Sequence, residues 1–413
     1  MRRRALVSAL AIALFASHCS RCSAPKPTPE DDPSDLDAAP REETLRARCG
    51  DAPIAHVALP ATSDAAFELG RVRSPQMGTS ARVVIGARRG DRAGLLEVDA
   101  LTARFTETSD AHGDVPPPVP VVTAERAIAI AYEDAGKNPK GRLRLVARDA
   151  ASSATPLFAL DPEPPDDSLA YDAIALADGT IVVAWDAPDA DQNGGSAIWA
   201  RAFRNGRLGD ATRISPKDVD ADTPRLVAFG PTLVAFWIAH RPLAPTARHA
   251  SPEPEGPGED LDRAWIEMLG LDAVTLAPTS PLRHVTPDTG RVSAFDVLAD
   301  ATSALPAMNV LARDAIELHA GQGGSALFVH VQGPDPAPPI VLSNHVGRGL
   351  PLYLPSRNLL LFNDASEVGR TASDAGVAAE AFSGERPLAA LTTGEILLVK
   401  DRATDLDVFR CGP

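Results

Sequence analysis

Residues 169–215 alternate between short apolar segments and tight turns, and this pattern constrains the fold more than any other part of the chain. The four apolar segments are residues 169–176, 181–185, 197–203 and 211–214. Asp178-Gly179 lies between the first two segments, and Asn205-Gly206 lies between the last two. Apolar segments joined by Asp-Gly and Asn-Gly turns are typical of antiparallel hairpins. The stretch therefore predicts a four-stranded antiparallel sheet.

The second segment, residues 181–185, is apolar at consecutive positions, as expected for a strand that is buried on both faces. Sheets stacked between two neighbouring sheets, as in a β-propeller, have this property. The stretch resembles the repeat of bacterial exported β-propellers, in which a D-G-x-x-V-V-x-W core precedes an aromatic-bearing strand and a Gly turn. The residues that carry the resemblance are Asp178, Gly179, Val182, Val183, Trp185, Trp199, Phe203 and Gly206. The resemblance implies an architecture and leaves the function open, because propellers include binders, scaffolds and enzymes.

Segments similar to residues 181–185 recur along the chain and predict an all-β propeller of seven four-stranded blades. They are residues 82–85, 127–131, 181–185, 233–237, 308–311, 359–362 and 396–399. Two motifs recur at matching positions: residues 194–199 reappear as 323–328, and residues 225–229 reappear as 291–295. Six or eight blades remain open, because residues 301–307 blur the fifth unit. Residues 240–262 are rich in Pro and Glu and predict a long loop inserted in the fourth blade.

The front of the chain has the composition of an export signal followed by a tether. Three arginines precede an apolar run over residues 5–16, which is too short to span a bilayer and is typical of a secretory signal over residues 1–22. Cys19 lies where a lipoprotein signal places its lipidated cysteine, although His18 before it departs from that pattern. Cys22 is the second candidate, and an ordinary signal peptide is the alternative. Residues 23–48 are Pro-rich and acidic and predict a disordered tether, so the propeller domain covers residues 49–413.

The two remaining cysteines predict how a propeller ring would close. Cys49 and Cys411 both lie in Arg-Cys-Gly contexts at opposite ends of the domain. The last unit offers three strands, at residues 387–391, 395–400 and 406–410, and residues 54–59 can supply the fourth. An oxidising compartment would favour a Cys49–Cys411 disulfide, which the loop-entropy model values at about 5 kcal/mol. Two unrelated thiols are the alternative.

The loop over residues 189–194 has the D-x-D-x-N-G spacing that lets alternating oxygens converge on Ca²⁺. Its candidate ligands are Asp189, Asp191 and Asn193. An EF-hand would need a bidentate Glu where this chain has Ala200, so only a partial Ca²⁺ site could form. A solvated hairpin loop is the alternative. No other metal and no organic cofactor is predicted.

Candidate catalytic chemistry is sparse in this sequence. It contains no G-x-S-x-G elbow, phosphate-binding or dinucleotide glycine motif, helical His pair or sialidase S-x-D-x-G-x-T-W box. Four charged residues lie on or just before predicted first strands, where they could line the central channel: Asp172, Arg225, Arg291 and Glu385. We expect them to be hydrated channel-lining side chains, and we predict no catalytic residue.

The composition narrows the choice of partners. A net charge of −15 argues against nucleic acid and favours a soluble, self-repelling surface. We therefore expect a monomeric binding or scaffolding module at the bacterial cell envelope, attached to the membrane only through an N-terminal lipid. Its partner would be an envelope protein or a glycan. The alternative is a hydrolase of glycans or lactones with its site in the central channel, although an aromatic content of 5% is low for surfaces that stack on sugars.

Overall fold

The computed structural model divides the chain into residues 1–42 and residues 43–413, and all described residues lie in the second unit. Those residues are 49, 52–58, 67–73, 82–99, 102–110, 115–123, 125–134, 143–151, 155–160, 169–189, 195–229, 232–240, 263–299, 307–314, 324–332, 335–346, 352–354, 359–363, 369–373, 376–382, 385–390, 395–401 and 405–412. The predicted signal peptide, the tether and Cys19 lie outside them. No helix among the described residues is long and apolar enough to cross a membrane.

The described residues form antiparallel sheets from strands that follow one another along the chain. After β1 (Ala55–Ala58), sheet 1 contains β2 (Phe67–Arg73), β3 (Val83–Arg89), β4 (Arg92–Val98) and β5 (Ala103–Asp110). Sheet 2 contains β6 (Val119–Val122), β7 (Ala127–Asp134), β8 (Leu143–Asp149) and β9 (Phe158–Leu160). Sheet 3 contains β10 (Tyr171–Ala175), β11 (Ile181–Pro188), β12 (Ser196–Arg204), β13 (Arg207–Leu208) and β14 (Thr212–Arg213).

The remaining strands continue the same order. Sheet 4 contains β15 (Asp220–Phe229), β16 (Thr232–His240), β17 (Ala264–Asp272) and β18 (Arg283–His284). Sheet 5 contains β19 (Val292–Ala299), β20 (Ala307–Asp314), β21 (Gly324–Gln332), β22 (Asp335–Pro336) and β23 (Ile340–Val346). Sheet 6 contains β24 (Leu352–Leu354), β25 (Leu359–Asn363), β26 (Gly369–Ser373) and β27 (Gly376–Phe382). The closing sheet joins β1 to β28 (Arg386–Ala390), β29 (Ile396–Asp401) and β30 (Asp405–Cys411) in the order β1-β30-β29-β28.

Each sheet contacts the next, which places the hydrophobic core between sheets. Buried apolar clusters join sheets 1, 2 and 3, sheets 3 and 4, and sheets 4 and 5. Further clusters join the closing sheet to sheet 1 and to sheet 6, and β23 of sheet 5 contacts β25 of sheet 6. The second strands are buried along most of their length, because they are covered by a neighbour on each face. This arrangement confirms the predicted all-β propeller of mainly four-stranded sheets.

The predicted strand positions are confirmed. Each of the recurring segments found in the sequence lies in the second strand of a different sheet, and both Gly-Gly-Ser-Ala motifs enter a third strand. Gly179 adopts φ 82° in the first predicted turn, and Asn205 and Gly206 adopt φ 50° and 73° in the second. Paired positive φ values suit a tight turn between twisted strands. The predicted insertion falls between β16 and β17, which pair with each other, and residues 241–262 themselves lie outside the described residues.

The closing sheet confirms the predicted mixing of the two ends of the domain. β1 pairs antiparallel with β30, with Ala55 opposite Val408 and His56 opposite Asp407. The His56 ring nitrogen lies 2.5 Å from the Asp407 carboxylate, which is fully buried. The predicted Cys49–Cys411 disulfide is present, with both residues buried, and it joins positions 362 residues apart.

Candidate functional site

Charged side chains from the first strands of four different sheets meet in one place. Arg71 and Arg73 come from β2, Asp172 from β10, Arg225 from β15 and Asp296 from β19. Arg71 forms an ion pair with Asp296, which is 225 positions away, and its second Nη atom lies 3.3 Å from Asp172, 101 positions away. Because first strands of a propeller surround the central channel, we place these five residues at the channel and call them the arginine cluster.

Asp172 is the centre of the arginine cluster. Its side chain is fully buried and accepts hydrogen bonds from Arg73 Nη2 at 2.8 and 2.9 Å, and from the backbone N–H of Leu226 at 2.7 Å. Burial opposes ionisation, but Arg71, Arg73, Arg225 and the Leu226 N–H together lower the pKa of Asp172. The carboxylate is therefore ionised and engaged by donors from two other sheets.

Irregular backbone places the arginines in this cluster. The pairing of β2 with β3 shifts register between Leu69 and Val72, which brackets Arg71. The pairing of β15 with β16 shifts between Asp222 and Arg225, and Thr223 inside that bulge adopts φ 52°. Bulges redirect side chains, and strained non-glycine backbone persists where the surrounding structure requires it. The bulges thus turn two charged side chains towards the channel.

Arg225 is the member of the cluster that has no ion pair with any described residue. Among the described residues no carboxylate oxygen lies within 4.0 Å of its guanidinium, and its one hydrogen bond goes to the Pro224 carbonyl at 2.9 Å. The guanidinium lies over the ring of Phe295, 5.7 Å from the centroid. Burial lowers the pKa of Arg225, and the carboxylates of Asp172 and Asp222 offset part of that effect. A half-buried guanidinium held on an aromatic ring is positioned to bind an anion.

The cluster holds more positive than negative charge. Three guanidiniums face the two carboxylates of Asp172 and Asp296, and a third carboxylate, that of Asp222 outside the cluster, also acts on Arg225. The Nε atoms of Arg71, Arg73 and Arg225 are buried and have no hydrogen-bond acceptor among those residues. Burial lowers the pKa of Arg71 well below its ordinary value. Since a buried donor without an acceptor is costly, the cluster favours an added anion whose oxygens can accept from these groups.

The sequence predicted this site only in part. Asp172 and Arg225 do meet, but Asp172 is fully buried and ion-paired, so the expectation of a hydrated channel lining is wrong for it. Arg291 lies elsewhere, beside Ala264, with its N–H bonded to Asp314. Glu385 lies 3.6 Å from Lys400. Arg71, Arg73 and Asp296 were missed, although a charged residue on a first strand was the signal that identified Asp172.

Two buried tyrosines lie near the cluster. The Tyr171 hydroxyl donates to the Ile130 carbonyl at 2.8 Å, and its ring packs edge-on against Tyr132 with centroids 5.2 Å apart. Burial raises the pKa of both phenols well above the ordinary value, and for Tyr132 the nearby Asp186 adds to the effect. Both phenols are therefore neutral at physiological pH.

The predicted Ca²⁺ loop is described at one ligand only. Asp189 is buried and lies 2.8 Å from the guanidinium of Arg213, so a cation at Asp189 would have to displace that partner. Asp191 and Asn193 lie outside the described residues. Within the described residues no group of three or more His, Cys, Asp or Glu side chains is placed to hold a metal. The Ca²⁺ site stays a prediction.

Comparisons with known proteins show structural similarity alone. No protein-family model matches the chain, and no curated protein matches it. Among solved structures, it is similar to the polysaccharide lyase Uly1, with 7% identity, a TM-score of 0.45 and coverage of 81% of this chain and 89% of the lyase. The β-propeller domain of the Trilobed protease from Pyrococcus furiosus gives 9% identity, a TM-score of 0.44 and coverage of 84% and 95%.

A further similar structure is the α-L-arabinofuranosidase Arb93A from Fusarium graminearum. It is 9% identical, with a TM-score of 0.41 and coverage of 88% of this chain and 98% of the enzyme. At such identities and TM-scores, these similarities do not bear on what the chain binds or catalyses.

Proposed function

We propose that this protein is a binding module of the cell envelope, whose propeller takes an anionic ligand at the arginine cluster. The observation that carries the proposal is the guanidinium of Arg225, which is half-buried beside two further arginines and has no carboxylate oxygen within 4.0 Å among the described residues. A charged or polar site at the axis of a propeller can hold a ligand against residues from several blades at once. The ligand is then recognised by charge in a protein whose net charge is −15.

Binding accounts for the cluster better than hydrolysis of glycans or lactones. A glycosidase uses one carboxylic acid with a raised pKa and a second carboxylate to attack the sugar or activate water. Here the pKa of Asp172 is lowered, and its oxygens are engaged by Arg71, Arg73 and Leu226 N–H. Neither buried tyrosine can be an anionic nucleophile near neutral pH, because burial raises the pKa of both. Among the described residues, the cluster offers positive charge and no free acid.

The test is the thermal stability of the full-length protein in acetate and in sulfate at matched ionic strength. A ligand that binds only the folded state raises Tm in a saturable way. We expect this rise in the wild type and in Arg201→Gln, a control on a third strand whose guanidinium bonds, among the described residues, only to the Gly209 carbonyl. Arg225→Gln should abolish it. Equal rises in all three proteins would contradict the proposal.

Export and membrane attachment belong to the same proposal. They rest on the three arginines and the apolar run before Cys19, the candidate lipidation site. Detergent phase separation of cells that produce the full chain should place the wild type in the detergent phase and Cys19→Ala in the aqueous phase. An unchanged distribution after Cys19→Ala would exclude lipidation at that residue.

A further inference from the structure

Asp222 lies on the same face of sheet 4 as Arg225. In a regular strand, residues three positions apart point to opposite faces. The bulge in β15 changes this, because Asp222 lies opposite Ile238 and Arg225 lies opposite Phe236. Ile238 and Phe236 both belong to the buried cluster between sheets 4 and 5. The bulge therefore places Asp222 and Arg225 together on the face that meets sheet 5, where Arg225 contacts Phe295.

His240 lies on this face too, at the end of β16, and binds Asp222. Its Nε2 atom lies 2.8 Å from the Asp222 carboxylate, which can only accept, so Nε2–H is the donor. Among the described residues no carboxylate oxygen lies within 4.0 Å of the Arg225 guanidinium. The carboxylate three residues from Arg225 on the same face is thus engaged by the histidine and not by the arginine.

We propose that His240 is a positioning residue of the anion site, which holds Asp222 away from Arg225 and so keeps this guanidinium available to a ligand. This inference rests on the proposed anion site and states how that site is kept open. A carboxylate is an anion that a guanidinium binds well, so a released Asp222 would compete with the ligand from within the protein.

The same contact makes anion affinity depend on pH. A protonated imidazole forms a charge-assisted hydrogen bond with a carboxylate, so protonated His240 holds Asp222 more firmly than neutral His240 does. It also offsets the negative charge that Asp222 directs at Arg225. The side chains of His240 and Asp222 are 27% and 32% exposed, which lets the proton exchange with solvent. Anion binding should therefore tighten as pH falls through the range in which histidine gains its proton.

Other charged groups surround His240, but each carboxylate among them is engaged elsewhere. Asp220, opposite His240 in β15, accepts from the Ser196 N–H at 2.7 Å. Asp314 of sheet 5 accepts from the Arg291 N–H at 3.1 Å. Of these residue types, histidine alone ordinarily changes its charge between about pH 5 and about pH 8. The charged groups on the elements around His240 are Asp220 and Asp222 of β15, Arg263 before β17, and Arg291 and Asp314 of sheet 5.

The first test is the affinity for sulfate, a probe whose charge is constant over this range, by calorimetric titration of the full-length protein. Between about pH 8 and about pH 5.5 we expect the wild type to bind about fivefold more tightly, the lower end of typical coupling between two sites. His240→Ala should lose this pH dependence and bind weakly throughout. His284→Ala, a control on β18 whose ring lies 3.4 Å from Glu267, should behave as the wild type.

The second test is a rescue. If His240 acts through Asp222, then adding Asp222→Asn to His240→Ala removes the competing carboxylate and restores sulfate affinity to at least the wild-type value at acid pH. Asp222→Asn alone should bind tightly at every pH. Circular dichroism and the unfolding midpoint establish that each variant is folded. If His240→Ala is not, the pH profiles of the wild type and Asp222→Asn decide the matter.

The outcomes distinguish this inference from the proposed function. If sulfate binds none of these proteins at any pH, the anion site itself is wrong and the inference falls with it. If the wild type binds sulfate equally at both ends of the pH range, the site stands and the role of His240 is overturned. A double variant that binds as weakly as His240→Ala would likewise overturn it, because His240 would then not act through Asp222.

Discussion

The closing sheet and the arginine cluster both join parts of the chain that are far apart in sequence, but they do so in opposite ways. At the closing sheet a disulfide links positions 362 residues apart, β1 pairs with β30, and the buried Asp407 contacts His56. In the arginine cluster the links are ion pairs, and buried Nε atoms lack acceptors among the described residues. The buried carboxylate of the closing sheet has a partner within the protein, whereas the buried Nε atoms of the arginine cluster have no acceptor among the described residues.

This difference separates what stabilises the ring from what the ring can bind. The disulfide and the paired strands of the closing sheet, which we call the seam, stabilise the folded protein without any ligand. Buried charged groups whose donors lack acceptors destabilise the unliganded protein. A bound anion that accepts from those donors removes this cost. We therefore expect substitutions in the seam and at Asp172 to lower the free energy of unfolding. Substitutions at Arg225 should instead weaken anion binding.

The largest expected effect comes from removing the central carboxylate of the cluster. Asp172→Ala removes the carboxylate that pairs with Arg71 and Arg73, and losing one partner of a buried ion pair typically costs about 3–5 kcal/mol. Urea unfolding of the full chain measures this loss. The matched control is Asp178→Ala, an exposed turn residue 3.3 Å from Arg204, whose loss should cost about 1 kcal/mol or less. Equal losses in the two variants would contradict the central role of Asp172.

Opening the seam should have the next largest effect. Replacing Cys49 and Cys411 with serine removes the constraint on the unfolded chain, and we expect a loss of about 2–4 kcal/mol in the free energy of unfolding. Anion binding by the folded variant should be retained, because the cluster lies on β2, β10, β15 and β19 and the closing sheet does not contribute to it. A variant that folds but loses anion binding would show that the two regions are coupled.

Acid should weaken the cluster through Asp172 in a defined window. Because the folded-state pKa of Asp172 is lowered, its ionised form adds stability above the unfolded pKa of about 3.9, and this is lost as pH falls through the folded value. The difference in free energy of unfolding between wild type and Asp172→Asn should thus be constant from about pH 5 to about pH 7, well above the unfolded pKa. It should shrink below about pH 4. Urea midpoints at each pH test this, and a difference that shrinks already near neutral pH would contradict it.

The smallest expected effect on stability comes from Arg225. Since its guanidinium has no ion pair within 4.0 Å among the described residues, Arg225→Gln breaks no close ion pair and should change the free energy of unfolding by less than about 1 kcal/mol. The same variant should lose anion binding. Loss of several kcal/mol would mean that Arg225 is structural, and the contrast between the two regions would fail.

The seam was predictable from sequence because its signals are local and periodic. Apolar segments and Asp-Gly or Asn-Gly turns predicted the second strands, and the repeated Arg-Cys-Gly context predicted the pairing of Cys49 with Cys411. The count of three strands at one end and one at the other predicted the closing sheet. Such patterns depend on strand alternation and turn chemistry, which act over a few residues.

The arginine cluster was only half predictable, because its members depend on departures from regular pairing. Arg71 follows Gly70 inside a bulge of β2, and alternation along a regular strand would not assign its direction. Arg291 and Arg225 occupy equivalent places in a repeated motif, yet the bulge at Thr223 directs Arg225 into the cluster, while Arg291 lies beside Ala264. Ion pairs between β2 and β19 also depend on the curvature of the ring, which no local pattern specifies.

The central claim is that the arginine cluster is an anion site, and a crystal structure of the protein determined in acetate tests it most directly. The account predicts a carboxylate within hydrogen-bond distance of the Arg225 guanidinium, with Asp172 still held by Arg71 and Arg73. Arg225→Gln crystals grown under the same conditions should lack this acetate. A wild-type cluster without an anion at saturating acetate, or acetate bound only away from Arg225, would contradict the claim.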